Sequence, residues 1–174
     1  MTIDVQPILT SILSTAASAL NEAEDAPAVV HLAPGREAAF DNCCEDGGQL
    51  YLRVIDIYPT AGAGSAGFPQ PDLMQRGAGC GIGTLALRLG LGLLRCAATL
   101  DDQGRPPAPE RLGDEVGQAM SDMGTLLTVL ACEVRTLPGV HKVKVDRWSP
   151  LGVSGGCHGG EWTFYLAVDP CLSC

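Results

Sequence analysis

The chain has 174 residues, 46% of them apolar and 18% charged, which suits one folded domain with a real core and argues against disorder. Its formal charge of −9 and pI near 4.6 exclude a surface built to grip nucleic-acid phosphates. They are compatible with a wall that DNA passes without sticking. Met1-Thr2-Ile3-Asp4 has no basic start, and every hydrophobic stretch is broken by Arg, Gly or Thr, so neither a signal peptide nor a membrane span is expected.

Residues 4–24 read as an amphipathic helix. Asp4 can cap it, Pro7 is tolerated in the first turn, and Val5, Ile8, Leu9, Ile12, Leu13, Ala16 and Leu20 share one face. Ala28 to Leu32 is a short β-branched run ended by Pro34-Gly35, and residues 36–48 are irregular. Gln49 to Tyr58 reads as a strand with both faces partly covered. The Gly-, Ala- and Pro-rich stretch 59–83 is too long for a hairpin turn and reads as a projecting arm, with Phe68 and Met74 as interface candidates.

In Thr84 to Ala97, Leu85, Leu87, Leu89, Leu91 and Leu93 stand at alternate positions. Period two sends them all to one face of a sheet, so a strand is expected despite leucine's helix preference. A polar connection leads to Pro109–Thr136, the clearest helix. Its stripe of Leu112, Val116, Ala119, Met120, Met123, Leu126, Leu127, Leu130 and Val134 reads as core, with Asp114, Glu115, Gln118 and Asp122 mostly off it. His141–Trp148 and Glu161–Asp169 alternate and are expected to pair as an antiparallel hairpin through a Gly-rich loop. The order α-β-β-β-α-β-β predicts a single α+β domain over 1–174. Its sheet is mostly antiparallel, two helices pack on one face, and a long loop follows the second strand.

Few residues suggest chemistry. Gly79-Cys80-Gly81-Ile82-Gly83-Thr84 lacks the lysine of a phosphate loop and precedes a strand rather than a helix. Cys171-Leu172-Ser173-Cys174 with Cys157-His158 makes a Cys3His set for tetrahedral zinc, against the blander reading of a disulfide or free thiols. Cys43 or Cys44 could pair with Cys80, or all three could remain partly buried thiols. A Cys157–His158 dyad lacks an orienting group and oxyanion donors, so no catalytic residues and no cofactor are expected. Trp148 and Trp162 read as hairpin core or as anchors between subunits.

Trp148-x-Pro150-Leu151-Gly152 with Gly155-Gly156-Cys157-x-Gly159-Gly160-x-Trp162-Thr163 resembles small head-to-tail connector proteins of long-tailed actinobacteriophages. So do Leu50-Tyr51-Leu52-Arg53-Val54 leading to Tyr58-Pro59, and Leu93-Leu94-Arg95-Cys96-Ala97 before Asp101-Asp102-Gln103-Gly104. Within that group the element order is similar to tail terminators rather than to helical adaptors or β-barrel stoppers. The resemblance implies a non-enzymatic virion protein of the neck, assembled in the host cytoplasm. It implies a ring, hexameric in the family, that binds the tail tube on one face and the head stopper on the other. DNA would cross its lumen without specific binding. Another neck connector and a small Cys/His zinc module are the alternatives.

Overall fold

A computed structural model describes residues 4–23, 26–33, 35, 43–44, 48–60 and 84–168. Helix α1 (Gln6–Glu22) opens with the Asp4 carboxylate accepting the Gln6 N–H at 3.0 Å and a proline in its first turn. Its buried residues are Ile8, Leu9, Ile12, Leu13, Ala16 and Leu20, the face that periodicity predicted. Strands β1 (Val29–Ala33), β2 (Gln49–Thr60) and β3 (Thr84–Cys96) follow. Helix α2 (Pro109–Thr128) continues through one π turn (Val129–Glu133) and a 3-10 turn (Val134–Thr136). Strands β4 (Val140–Ser154) and β5 (Cys157–Val168) close the chain.

The five strands form one mixed sheet in the order β1-β2-β3-β5-β4, so the fold is α+β. Only β1 and β2 run parallel; the other pairs are antiparallel. The leucines of β3 do line one face. With Leu50 and Leu52 of β2 and Trp162, Phe164, Leu166 and Val168 of β5, they pack against both helices. Leu87, Leu89 and Leu91 are fully buried, and truncating any of them to alanine should cost about 2–5 kcal/mol.

The last hairpin is longer than its alternation suggests. Its turn is only Gly155-Gly156, at φ of 59° and 81°, the pair of positive values that a tight two-residue hairpin demands. Cys157 to Gly160 belong to β5, opposite Cys96, Arg95, Leu94 and Leu93. The expected Gly-rich loop is therefore mostly strand. Gly160 is glycine because the Trp148 indole lies where its Cβ would be, and Gly159 because its φ is 154° beside the Leu93 carbonyl.

A second correction concerns α2. Its apolar stripe is core only from Met123 onward; Leu112, Val116 and Met120 are 45%, 62% and 45% exposed. A third is Asp122, expected off the stripe yet buried.

Candidate functional site

The sheet face away from the helices carries the densest polar chemistry. Tyr51 and Arg53 of β2 stand opposite Gly92 and Gly90 of β3, and Glu161 of β5 stands on the other side of Gly92. The two glycines leave a trough between larger neighbours. The Tyr51 ring fills it over Gly92 and the Glu161 carboxylate over Gly90. Arg53 donates to Glu161 twice, from Nε at 2.6 Å and Nη2 at 2.7 Å, and the Tyr51 hydroxyl donates to Oε2 at 3.0 Å.

All three groups are largely buried. Burial foremost, and the Glu161 carboxylate next, push the Tyr51 hydroxyl far above its ordinary range. The carboxylate thus accepts three hydrogen bonds from two side chains of β2. The network is an anchor between β2 and β5 across β3. A weaker ladder continues along the same face, where Arg88 faces Asp56 at 3.7 Å and lies 5.8 Å from the centre of the Tyr165 ring.

At the end of β3 four cysteines converge. Cys43 is bonded to Cys157 and Cys44 to Cys96, while Cys96 and Cys157 are themselves cross-strand partners. The pairing with Cys80 considered from sequence is thus overturned for both Cys43 and Cys44. Arg95, one position before Cys96, points to the helix side and makes two bonds to Asp122, at 3.0 and 2.7 Å, the carboxylate buried and the guanidinium partly so. Gln118 reaches the same carboxylate at 3.5 Å, and Glu115 accepts the Ala98 N–H. These contacts dock the first half of α2 onto the sheet end. They frame an open cleft of about 460 Å³ that reaches Cys43, Cys44 and Cys96 and is bordered by Arg111 and His158.

Of the Cys3His zinc set weighed from sequence against a disulfide or free thiols, two members fall on described residues. Cys157 is spent in a disulfide, and His158 points to the other face of β5, toward the cleft. Cys171 and Cys174 lie outside the described residues, as do Phe68, Met74 and Cys80. In this oxidised state no group of three or more histidine, cysteine or acidic side chains among the described residues is placed to hold a metal ion.

Trp162 is 9% exposed and its indole N–H donates to the Met123 carbonyl at 3.0 Å, so it is core rather than interface. Trp148 is half-buried against it, ring centres 5.6 Å apart. The Tyr51–Arg53–Glu161 anchor and the Arg95–Asp122 pair were not singled out from sequence. The one available signal was Gly90 and Gly92 interrupting a leucine strand, which marks a close approach from neighbouring strands.

The outward surfaces are simpler. Leu112, Val116 and Met120 recur every four residues as one apolar ridge on α2, flanked by Glu110 and Asp114. Strands β1 and β4 are the sheet's two edges, and β4 carries Lys142, Lys144 and Arg147. No described helix is long and apolar enough to cross a membrane. Comparison with protein-family models and with curated proteins finds no match.

Proposed function

We propose that this chain is a structural protein of a phage neck, a tail terminator whose copies close a ring on the tail tube and join it to the head connector. The observation that carries the reading is the ridge of Leu112, Val116 and Met120, large apolar side chains left in solvent on the exposed first half of α2. A second copy would cover it. The acidic flank of α2 and the basic edge strand β4 lie on different elements of one subunit, a complementarity that suits head-to-tail contact between identical copies. Such a contact closes into a ring when the rotation between subunits divides a full turn.

The element order and the resemblance to actinophage connector proteins support placement at the neck, with the tail tube and head stopper as partners. The charge of −9 suits a lumen that DNA crosses without holding. The buried polar groups act as braces, so the work is assembly rather than bond chemistry.

Light scattering and native mass spectrometry test the reading, alone and with tail-tube protein. A ring of about six subunits is expected, and Val116→Asp should leave a folded monomer. Electron microscopy of the assembled particle is the decisive measurement. A chain that stays monomeric with tail tube and is missing from the neck sinks the proposal.

A further inference from the structure

Four cysteines from three separate parts of the chain meet at one corner: Cys43 and Cys44 before β2, Cys96 ending β3 and Cys157 opening β5. The two disulfides are not independent. One sulfur of each, Cys43 Sγ and Cys44 Sγ, lie 3.9 Å apart. Four thiolates around a tetrahedral zinc, each about 2.3 Å from the ion, stand roughly 3.8 Å from one another. One edge of that tetrahedron is already present. Each remaining sulfur is one bond from an end of it.

We propose that in the reduced protein Cys43, Cys44, Cys96 and Cys157 form a tetrathiolate site for zinc, and that oxidation exchanges the ion for the two disulfides. The backbone needs little rearrangement, since Cys96 and Cys157 are held opposite each other by the β3–β5 ladder in either state. The Ala97 N–H bonded to the Gly156 carbonyl at 2.7 Å fixes the hairpin turn over the same end. Access exists through the cleft that reaches Cys43, Cys44 and Cys96. A zinc tetrathiolate carries two net negative charges, and the cleft is bordered by Arg95, Arg111 and His158 as well as by the carboxylates Asp114 and Glu115.

The exchange balances. Two dithiol molecules supply four electrons, each leaving as its own disulfide, and both protein disulfides become thiol pairs. Zinc then displaces four protons. In reverse, two equivalents of a two-electron oxidant such as diamide take four electrons from the thiolates and release the ion. None of the four cysteines belongs to the α2 ridge, so the inference stands or falls without the ring reading.

The test uses the full chain, reduced without oxygen, loaded with zinc and freed of excess. The expected result is about one zinc per chain. It should survive in the variant Cys80→Ser, Cys132→Ser, Cys171→Ser, Cys174→Ser. Zinc should slow alkylation of Cys43, Cys44, Cys96 and Cys157 at least tenfold and leave the other cysteines reactive. Cobalt in place of zinc should give the intense visible bands of a tetrahedral thiolate site, and diamide should abolish them while restoring the two disulfides. Zinc well below one per chain, or protection that falls on Cys80, Cys132, Cys171 or Cys174 instead, overturns the proposal. Alkylation mapping needs no variant, so a misfolded mutant does not shelter it.

Discussion

Adding one methyl group at Gly90 should unfasten the sheet's polar brace. An ideal Cβ there lies 2.6 Å from the Glu161 carboxyl carbon and 2.7 Å from each oxygen, roughly 1 Å inside comfortable contact. The carboxylate cannot simply swing aside, because Arg53 grips both oxygens and Tyr51 holds one. Displacing it breaks a buried ion pair, which costs about 3–5 kcal/mol when one partner is left uncompensated. Alanine returns about 0.5–1 kcal/mol through the smaller entropy of the unfolded chain. The net expectation for Gly90→Ala is a loss of about 2–4 kcal/mol, read as a lower urea midpoint at unchanged m-value. In a Glu161→Ala background the obstruction is gone, and the same substitution should cost almost nothing. Gly113→Ala is the control. Nothing lies within 4 Å of its Cβ on α2, so it should stabilise by about 0.5–1 kcal/mol. A Gly90→Ala protein as stable as the parent, or a cost that persists without Glu161, refutes the role given to the trough.

Three further outcomes follow from the same contacts. Tyr51 titrates higher folded than unfolded, so its contribution is complete below the unfolded value of 10.0 and falls away as pH rises past it. Stability should drop by up to about 1.4 kcal/mol per pH unit in that range, and Tyr51→Phe should flatten the slope measured by denaturation at pH 9–11.5. Asp122→Ala leaves the partly buried Arg95 without its carboxylate and should cost about 3–5 kcal/mol, whereas Arg95→Met with Asp122→Leu should recover most of it in thermal melts. Removing the Cys44–Cys96 bond by Cys44→Ser with Cys96→Ser should cost about 2–4 kcal/mol in oxidising buffer and far less under reductant.

Period-two leucines reveal a strand because alternation survives any register, and α1 shows its buried face for the equivalent reason. Cysteine pairing depends on register instead. Cys96 and Cys157 become neighbours only when β3 and β5 align at one offset among many, so spacing alone does not pick the partners of Cys43 and Cys44. Gly159 and Gly160 look like loop by residue type, yet they pair with Leu94 and Leu93 as strand, and they are glycine because a carbonyl and an indole press on them from adjoining strands. The stripe on α2 told which way the helix faces but not how far its cover extends, and the cover stops short of Met120. Asp122 was hidden by its type. An acid reads as surface until an arginine at a sequence separation of 27 proves to be its partner.

The Cys43–Cys157 bond also sets the mechanics of the chain. Tension applied on either side passes through that one covalent link and skips the chain between two cysteines at a sequence separation of 114. Oxidised, the polypeptide can be drawn out to roughly 200 Å, against roughly 600 Å for the full length without cross-links. Most of the sheet lies inside the bypassed stretch, β2 through β4 entirely. Under load the force would fall on α1 and β1 on one side of the link and on β5 on the other, while β2, β3 and β4 were bypassed.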